Sequence, residues 1–290
     1  MAPPWKGGLG ATPSWVQIPH LPPYFIFLQR EIFCRCALQA MFLYTTSMSH
    51  VVCAREDIKK LGKILGVWAH PDDETYSMAG ILAVAAKNGQ EVVCITATRG
   101  EAGVQDEGRW PASELARVRT EEQNAAFGIL GIPKSIMLDY PDGACDVADE
   151  AEATNAIAAH ILAFQPDSIF TFGPDGLTGH SDHQTVSRWA RLAAKKADVK
   201  ADIYHVVHTP EQYAHMQEAD KHLNVYFNIE EPPLLEDCDC AICFTLPQDI
   251  YEQKIAALRA MPSQTEAMLE KFLHVLPKAV GVEAFRLCKD

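Results

Sequence analysis

Residues 63–77 read KILGVWAHPDDETYS. The first seven, KILGVWA, are an apolar run of the length of a buried strand. His70, Asp72, Asp73 and Glu74 then follow within five positions. Neighbouring carboxylates repel, and taking them out of water is costly. Acids crowded at the end of a buried strand require positive charge beside them.

Outward from this stretch the chain alternates. TYSMAGILAVAAKNG (75–89) is Ala-rich and stops at Gly89, which predicts a helix. EVVCITAT (91–98) predicts a second strand, and 111–132 a long helix with Ser113 near its start. SIMLDY (135–140), DSIFTFG (167–173) and DIYHVVH (202–208) predict three more strands, with helices over 150–165 and 183–197 between them. Alternation of this kind gives right-handed crossovers and a mostly parallel sheet with helices on both faces. The expectation is a single α/β domain over 62–290. Beyond 209 the pattern is less regular. NVYFNIEE and CAICFTL are further strand candidates, and a helix from Pro247 bends or breaks at Pro262 on its way to Leu273.

In parallel α/β sheets ligands bind outside the carboxyl ends of the strands. Four polar clusters fall there: HPDDE after strand one, RGEAG after strand two, PDGA after strand three and GPDGLTGHSDH after strand four. His70 and Asp73 are three apart, so both reach one point above the strand end. His180 and His183 are also three apart. His70, Asp73 and one of these two histidines make three N/O donors with a position left for water, the pattern of a catalytic zinc site. Fe2+ or another divalent ion suits the same donors. Asp72 is then a general base, and the remaining histidine serves the oxyanion or the leaving amine, with Asp182 steadying it. Two histidines and a carboxylate also fit a non-haem iron oxygenase, the alternative enzyme class.

The totals limit the rest. The formal charge of −13 disfavours nucleic acid or an anionic membrane as partner. The most apolar segment, 24–44, carries Arg30, Glu31 and Arg35 in its middle, unlike a membrane span. Nine cysteines without framework spacing fit a reducing, cytoplasmic compartment. Cys238, Cys240 and Cys243 have no fourth ligand near in sequence, and Cys240 and Cys243 are read as lying at or within a buried strand. Residues 1–61, Pro- and Gly-rich at the start and with an irregular amphipathic stretch at 26–47, are expected to be a poorly ordered or peripheral extension, with a natural start near Met48.

Together, AHPDDE and GHSDH resemble the motifs of the PIG-L/LmbE family of zinc-dependent N-deacetylases, over roughly residues 63–287. The resemblance implies a Rossmann-like fold and hydrolysis of the acetyl amide of an N-acetylglucosamine-type sugar or conjugate, a small-molecule substrate. It assigns His70, Asp73 and His183 to zinc, Asp72 to the base, and His180, supported by Asp182, to the electrostatic or acid role. Glu101, Arg109 and Asp142 resemble sugar-contacting positions. Arg119 and Glu122 also match a family pattern, but an i,i+3 ion pair explains them as well. The chain departs from the family at Met261, where a histidine is usual, and at Thr178, where some members carry tyrosine. An amidase acting on a non-sugar conjugate remains the near alternative, and a homo-oligomer is compatible with all of this.

Overall fold

The computed structural model describes residues 52–288 apart from Asn224, Phe227, Leu273 and Val275. The chain divides into two units, 1–48 and 49–290, and the described residues lie in the second. The expectations for residues 1–51, including the stretch at 26–47, lie outside them.

The five expected parallel strands are present: β1 (Ile64–Trp68), β2 (Val92–Thr98), β3 (Ile136–Tyr140), β4 (Ser168–Thr171) and β5 (Asp202–Val207). β6 (Ile242–Thr245) lies within CAICFTL, and Cys240 is buried just before it. A seventh strand, β7 (Val282–Leu287), is not signalled in sequence. The order is β3-β2-β1-β4-β5-β7-β6, with β7 antiparallel to both β5 and β6. β1 is apolar on both faces because helices cover both. Its central Gly66 leaves room for the Trp68 indole.

Helices α1 (Asp73–Asn88), α2 (Ala112–Leu130), α3 (Glu150–Phe164) and α4 (Ser181–Ala197) are the crossovers, and α5 (Pro210–Leu223) follows β5. α6 (Gln248–Arg259), α7 (Pro262–Phe272) and the short α8 (Leu276–Ala279) precede β7. The chain does break at Pro262, at the first position of α7, where a missing N–H costs nothing. α5 was not legible, and NVYFNIEE is turn rather than strand where it is described. α1 and α2 pack with α6 on one face, and α3 packs with α4 on the other. The chain reverses between β1 and β4, so the crevice outside their carboxyl ends is the topological switch point.

The last ten residues of the segment expected to be peripheral, 52–61, pack into this domain. A 3-10 helix over Arg55–Leu61 buries Ile58 and Leu61, and Val52 bridges Ile242. The strand signal at 63 is simply stronger than that of a short 3-10 helix before it.

Helix α1 is not continuous. Met78 has φ −145° and ψ 18°, outside the helical region. At this break Lys254 Nζ donates to Tyr76 O at 2.7 Å, and Glu283 accepts from Gly80 N at 2.7 Å and Ile81 N at 2.8 Å. Lys254 and Glu283 meet at 2.9 Å, both fully buried. The pair thus sits between the Tyr76 carbonyl and the Gly80 N–H that an unbroken helix would join. A Cβ at Gly80 would lie 2.3 Å from Leu246 and 3.1 Å from the Glu283 carboxylate, so the close approach requires glycine.

Candidate active site

The three acids after β1 part ways. Glu74 turns inward, fully buried, to Thr75 and Gln123, and burial pushes its pKa up to about 8. Asp73 turns back over the strand end, where its Oδ2 accepts from Ala69 N (3.1 Å) and His70 N (2.7 Å). Asp72 points to Arg119 Nη2 at 3.2 Å, from a backbone at φ 108°, a strained conformation for a non-glycine residue.

His70 Nδ1 lies 3.1 Å from His183 Nε2 and 3.6 Å from Asp73 Oδ2, and His183 Nε2 lies 3.4 Å from Asp73 Oδ1. The far nitrogen of each ring decides its tautomer. His70 Nε2 lies 3.1 Å from Asp142 Oδ1 and 3.2 Å from Asp182 Oδ2, both acceptors. His183 Nδ1 lies 2.9 Å from Gly176 O, and the ring stacks flat on Phe172 at 4.0 Å. Each far nitrogen therefore carries a proton, and in the neutral rings both near nitrogens present lone pairs. With His70 neutral, two lone pairs and a carboxylate converge; with no cation between them, a proton on His70 Nδ1 fills that place. Donors bound at 2.0–2.1 Å around a tetrahedral zinc would stand about 3.3 Å apart, so the observed spacing suits such an ion.

A second grouping, His70 with Asp142 and Asp182, gathers on the opposite nitrogen. There Asp182 already accepts from Gly143 N and Cys145 N, and Asp142 from Ala102 N. That set is better suited to holding the His70 ring than to binding a cation itself.

The electrostatics agree with a site that draws positive charge. Burial alone would lower the His70 pKa, but hydrogen bonds to Asp142, Asp182 and Asp73 outweigh it and push it well above the usual value. Burial would raise Asp73, yet His183 and His70 hold it well below the usual carboxylate range. His183 is driven down to about 4, chiefly by burial, and so keeps its lone pair. Asp72 is pushed up to about 7 by burial, against the pull of Arg119 and with the repulsion of Asp73.

His180 caps the start of α4, with Nδ1 accepting from Asp182 N at 3.1 Å, and its ring lies edge-on to His70 at 4.8 Å. The sequence reading has the Asp182 carboxylate steady His180. The structure gives that carboxylate to His70 and to the turn after β3, because residue 182 opens α4 with its side chain directed under the site. Asp142, expected at the sugar, likewise backs His70, and its own N–H donates to Glu101 Oε1 at 3.0 Å. Arg109 pairs with Glu266 and lies over the Trp110 ring at 4.2 Å.

Two partnerships could not be read from spacing. Arg119 does not serve as an i,i+3 partner. It reaches Pro71 O and Gly100 O, both at 2.7 Å, as well as Asp72, while Glu122 accepts from Ser263 N and Oγ. Gly100, at φ 68°, has no room for a side chain, since a Cβ would lie 2.1 Å from the Arg119 guanidinium. A buried arginine on the inner face of α2 was the available signal.

A cavity of about 530 Å³ is lined by Asp72, Asp73, Thr178 and His183. Glu101, Arg109 and Asp142 are not in its wall.

Residues 65–194 match the family model PIG-L, GlcNAc-PI de-N-acetylase. That match spans 130 of the 290 residues, and over it the chain is similar to the PIG-L family. A 1D-myo-inositol 2-acetamido-2-deoxy-alpha-D-glucopyranoside deacetylase of Mycobacterium sp. (strain JLS) is 28% identical, covering 70% of this chain and 74% of the relative. The fold is similar to that of N,N'-diacetylchitobiose deacetylase from Pyrococcus horikoshii, with 21% identity, a TM-score of 0.57, and coverage of 80% of this chain and 85% of that one. It is also similar to that of GalB, the 4-carboxy-2-hydroxymuconate hydratase of Pseudomonas putida KT2440, at 17% identity and a TM-score of 0.52, covering 79% and 97%. At such identities the likeness is one of fold, and the two names show that this fold carries more than one reaction.

Within this chain the two departures from the PIG-L pattern fall differently. Thr178 lies in the cavity wall, with Oγ1 3.3 Å from His183 Nδ1. Met261 is in the apolar core and away from the cavity wall.

Proposed function

We propose that this protein is a metal-dependent N-deacetylase that hydrolyses the acetamide of an N-acetylglucosamine-type sugar or conjugate. The observation that carries the reading is the convergence of His70 Nδ1, Asp73 and His183 Nε2 at 3.1–3.6 Å, with a second carboxylate, Asp72, beside them on the cavity wall. Zinc bound to this triad would supply Lewis acidity and a water acidic enough to be a nucleophile near neutral pH.

The chain's own groups do the rest. Asp72 accepts a proton from the attacking water and returns it to the amide nitrogen as the C–N bond breaks, leaving acetate and a free amine. Its pKa near 7 suits both transfers at neutral pH. Arg119 holds it in position. Burial keeps His180 neutral, and its Nδ1 already accepts a hydrogen bond, so Nε2–H is the donor for the oxyanion. Asp142 and Asp182 orient His70. Relatives with the mycobacterial deacetylase's name act on a 2-acetamido sugar conjugate, which supports the substrate class. Cys53, Cys94, Cys145, Cys238, Cys240 and Cys243 are in no disulfide, which supports a cytoplasmic location. Among the described residues no helix is long and apolar enough to cross a membrane.

Incubation of zinc-loaded protein with N-acetylglucosamine conjugates tests the proposal. The mass of one acetyl group should be lost, with acetate released one for one. Intact conjugates after exposure to protein carrying one zinc per chain would refute it.

A further inference from the structure

The cavity does not end at the triad. Its wall continues along the strand rim to Val206 and Val207 at the end of β5 and to Ala284 at the start of β7. In the sheet β5 and β7 are the next two strands beyond β4. At 4.7–4.9 Å per strand, the arm reaches about 10 Å sideways from the triad. That is about the length of an extended chain of eight carbons, whereas an acetyl methyl uses little of it.

The chemistry of this arm is apolar. Met216 and Val280 contribute further wall. Most of its polar groups are already engaged, the buried Nδ1 of His208 being the exception. Gln212 donates to Val282 O and accepts from Thr209 N. Both oxygens of Glu283 are taken by Gly80, Ile81 and Lys254. Tyr226 Oη is 3.0 Å from His208 Nε2. A sugar carries a hydroxyl on nearly every carbon, and each one buried without a partner weakens binding. An alkyl chain needs no partners and gains from each methylene removed from water.

The two halves of an amide diverge from its carbonyl carbon. On the β2 side of β1 lie the charged loop residues Glu101 and Arg109; on the β5 and β7 side lies the apolar arm. Resting on the amidohydrolase reading above, we propose that the arm receives the acyl half of the substrate. The enzyme's preferred N-acyl group is then a chain of about four to eight carbons rather than acetyl.

Two substrate series with the zinc-loaded full chain test this. The first carries acetyl, butyryl, hexanoyl and octanoyl groups on the nitrogen of glucosamine. The second keeps N-acetyl and lengthens an alkyl aglycone from methyl to octyl. In the first series kcat/KM should climb by up to about fourfold per methylene, the worth of full burial, and in the second it should stay flat. Ala284→Leu, which narrows the arm, should cut the hexanoyl-to-acetyl ratio at least tenfold. Should that variant not fold, Met216→Trp on α5 serves the same comparison. A flat acyl series, or a climb confined to the aglycone series, overturns the assignment while acetyl hydrolysis still upholds the deacetylase. Absence of hydrolysis for every compound, with metal bound, removes both.

Discussion

Asp72 and Asp73 are chain neighbours that answer to different partners. One leans on Arg119; the other faces two histidines. The division has an energetic cost, since a non-glycine residue at φ 108° gives up roughly 1–3 kcal/mol. It persists because Arg119 fixes both the Asp72 carboxylate and the Pro71 carbonyl. Asp73→Ala should lose metal and activity together. Asp72→Asn should keep the metal and lower kcat by roughly 10²–10⁴, with little change in KM, because a base acts in the transition state. Elemental analysis and steady-state kinetics on the same preparations decide; loss of metal from the Asp72→Asn variant would exchange the two roles. At this scale the His-x-x-Asp and His-x-x-His spacings were legible because each pair is local. The attachment of Asp182 to His70 was not, since it depends on how the turn after β3 meets the start of α4.

Among the elements, α1 shows most clearly what a local pattern conceals. The Ala-rich run from 75 to 89 reads as one helix, and its end at Gly89 is as expected. The break at Met78 is made by Lys254 and Glu283, far along the chain, and no periodicity within the run reveals it. For the same reason β7 was missed: a short antiparallel strand gains its identity from β5 and β6, its neighbours on either side. Lys254→Met and Glu283→Ala should each destabilise the fold by roughly 3–5 kcal/mol, because each strands a buried charge. The double variant should cost clearly less than the sum, by more than about 1 kcal/mol. Urea unfolding of the four proteins measures this. Strict additivity would mean that the two residues do not act as a pair.

For the molecule as a whole, the parallel half of the sheet was legible from strand–helix alternation, and with it the rim on which the site had to lie. The antiparallel extension was not, and it is this extension that supplies the apolar arm of the cavity. A metal that binds the folded chain and not the unfolded one adds about 2.7 kcal/mol at a free concentration a hundred times its Kd. For a unit of this size that corresponds to a Tm roughly 5–10 °C higher. Thermal melts with zinc and after chelation should differ by this amount, and His183→Ala should abolish the difference. Equal melting temperatures for native protein with and without zinc would count against a metal on the triad.

The ion pair inside α1 also imposes an order in time. Every residue of the triad has left the ribosome once position 183 is out, but Glu283 is a hundred residues further on. At 5–20 residues per second that interval is roughly 5–20 s. Until it ends, α1 lacks the carboxylate that takes up its Gly80 and Ile81 N–H groups at the break. The nascent chain therefore possesses its ligands well before the helix behind them takes its final form, and the strand made last completes the helix that follows the first motif.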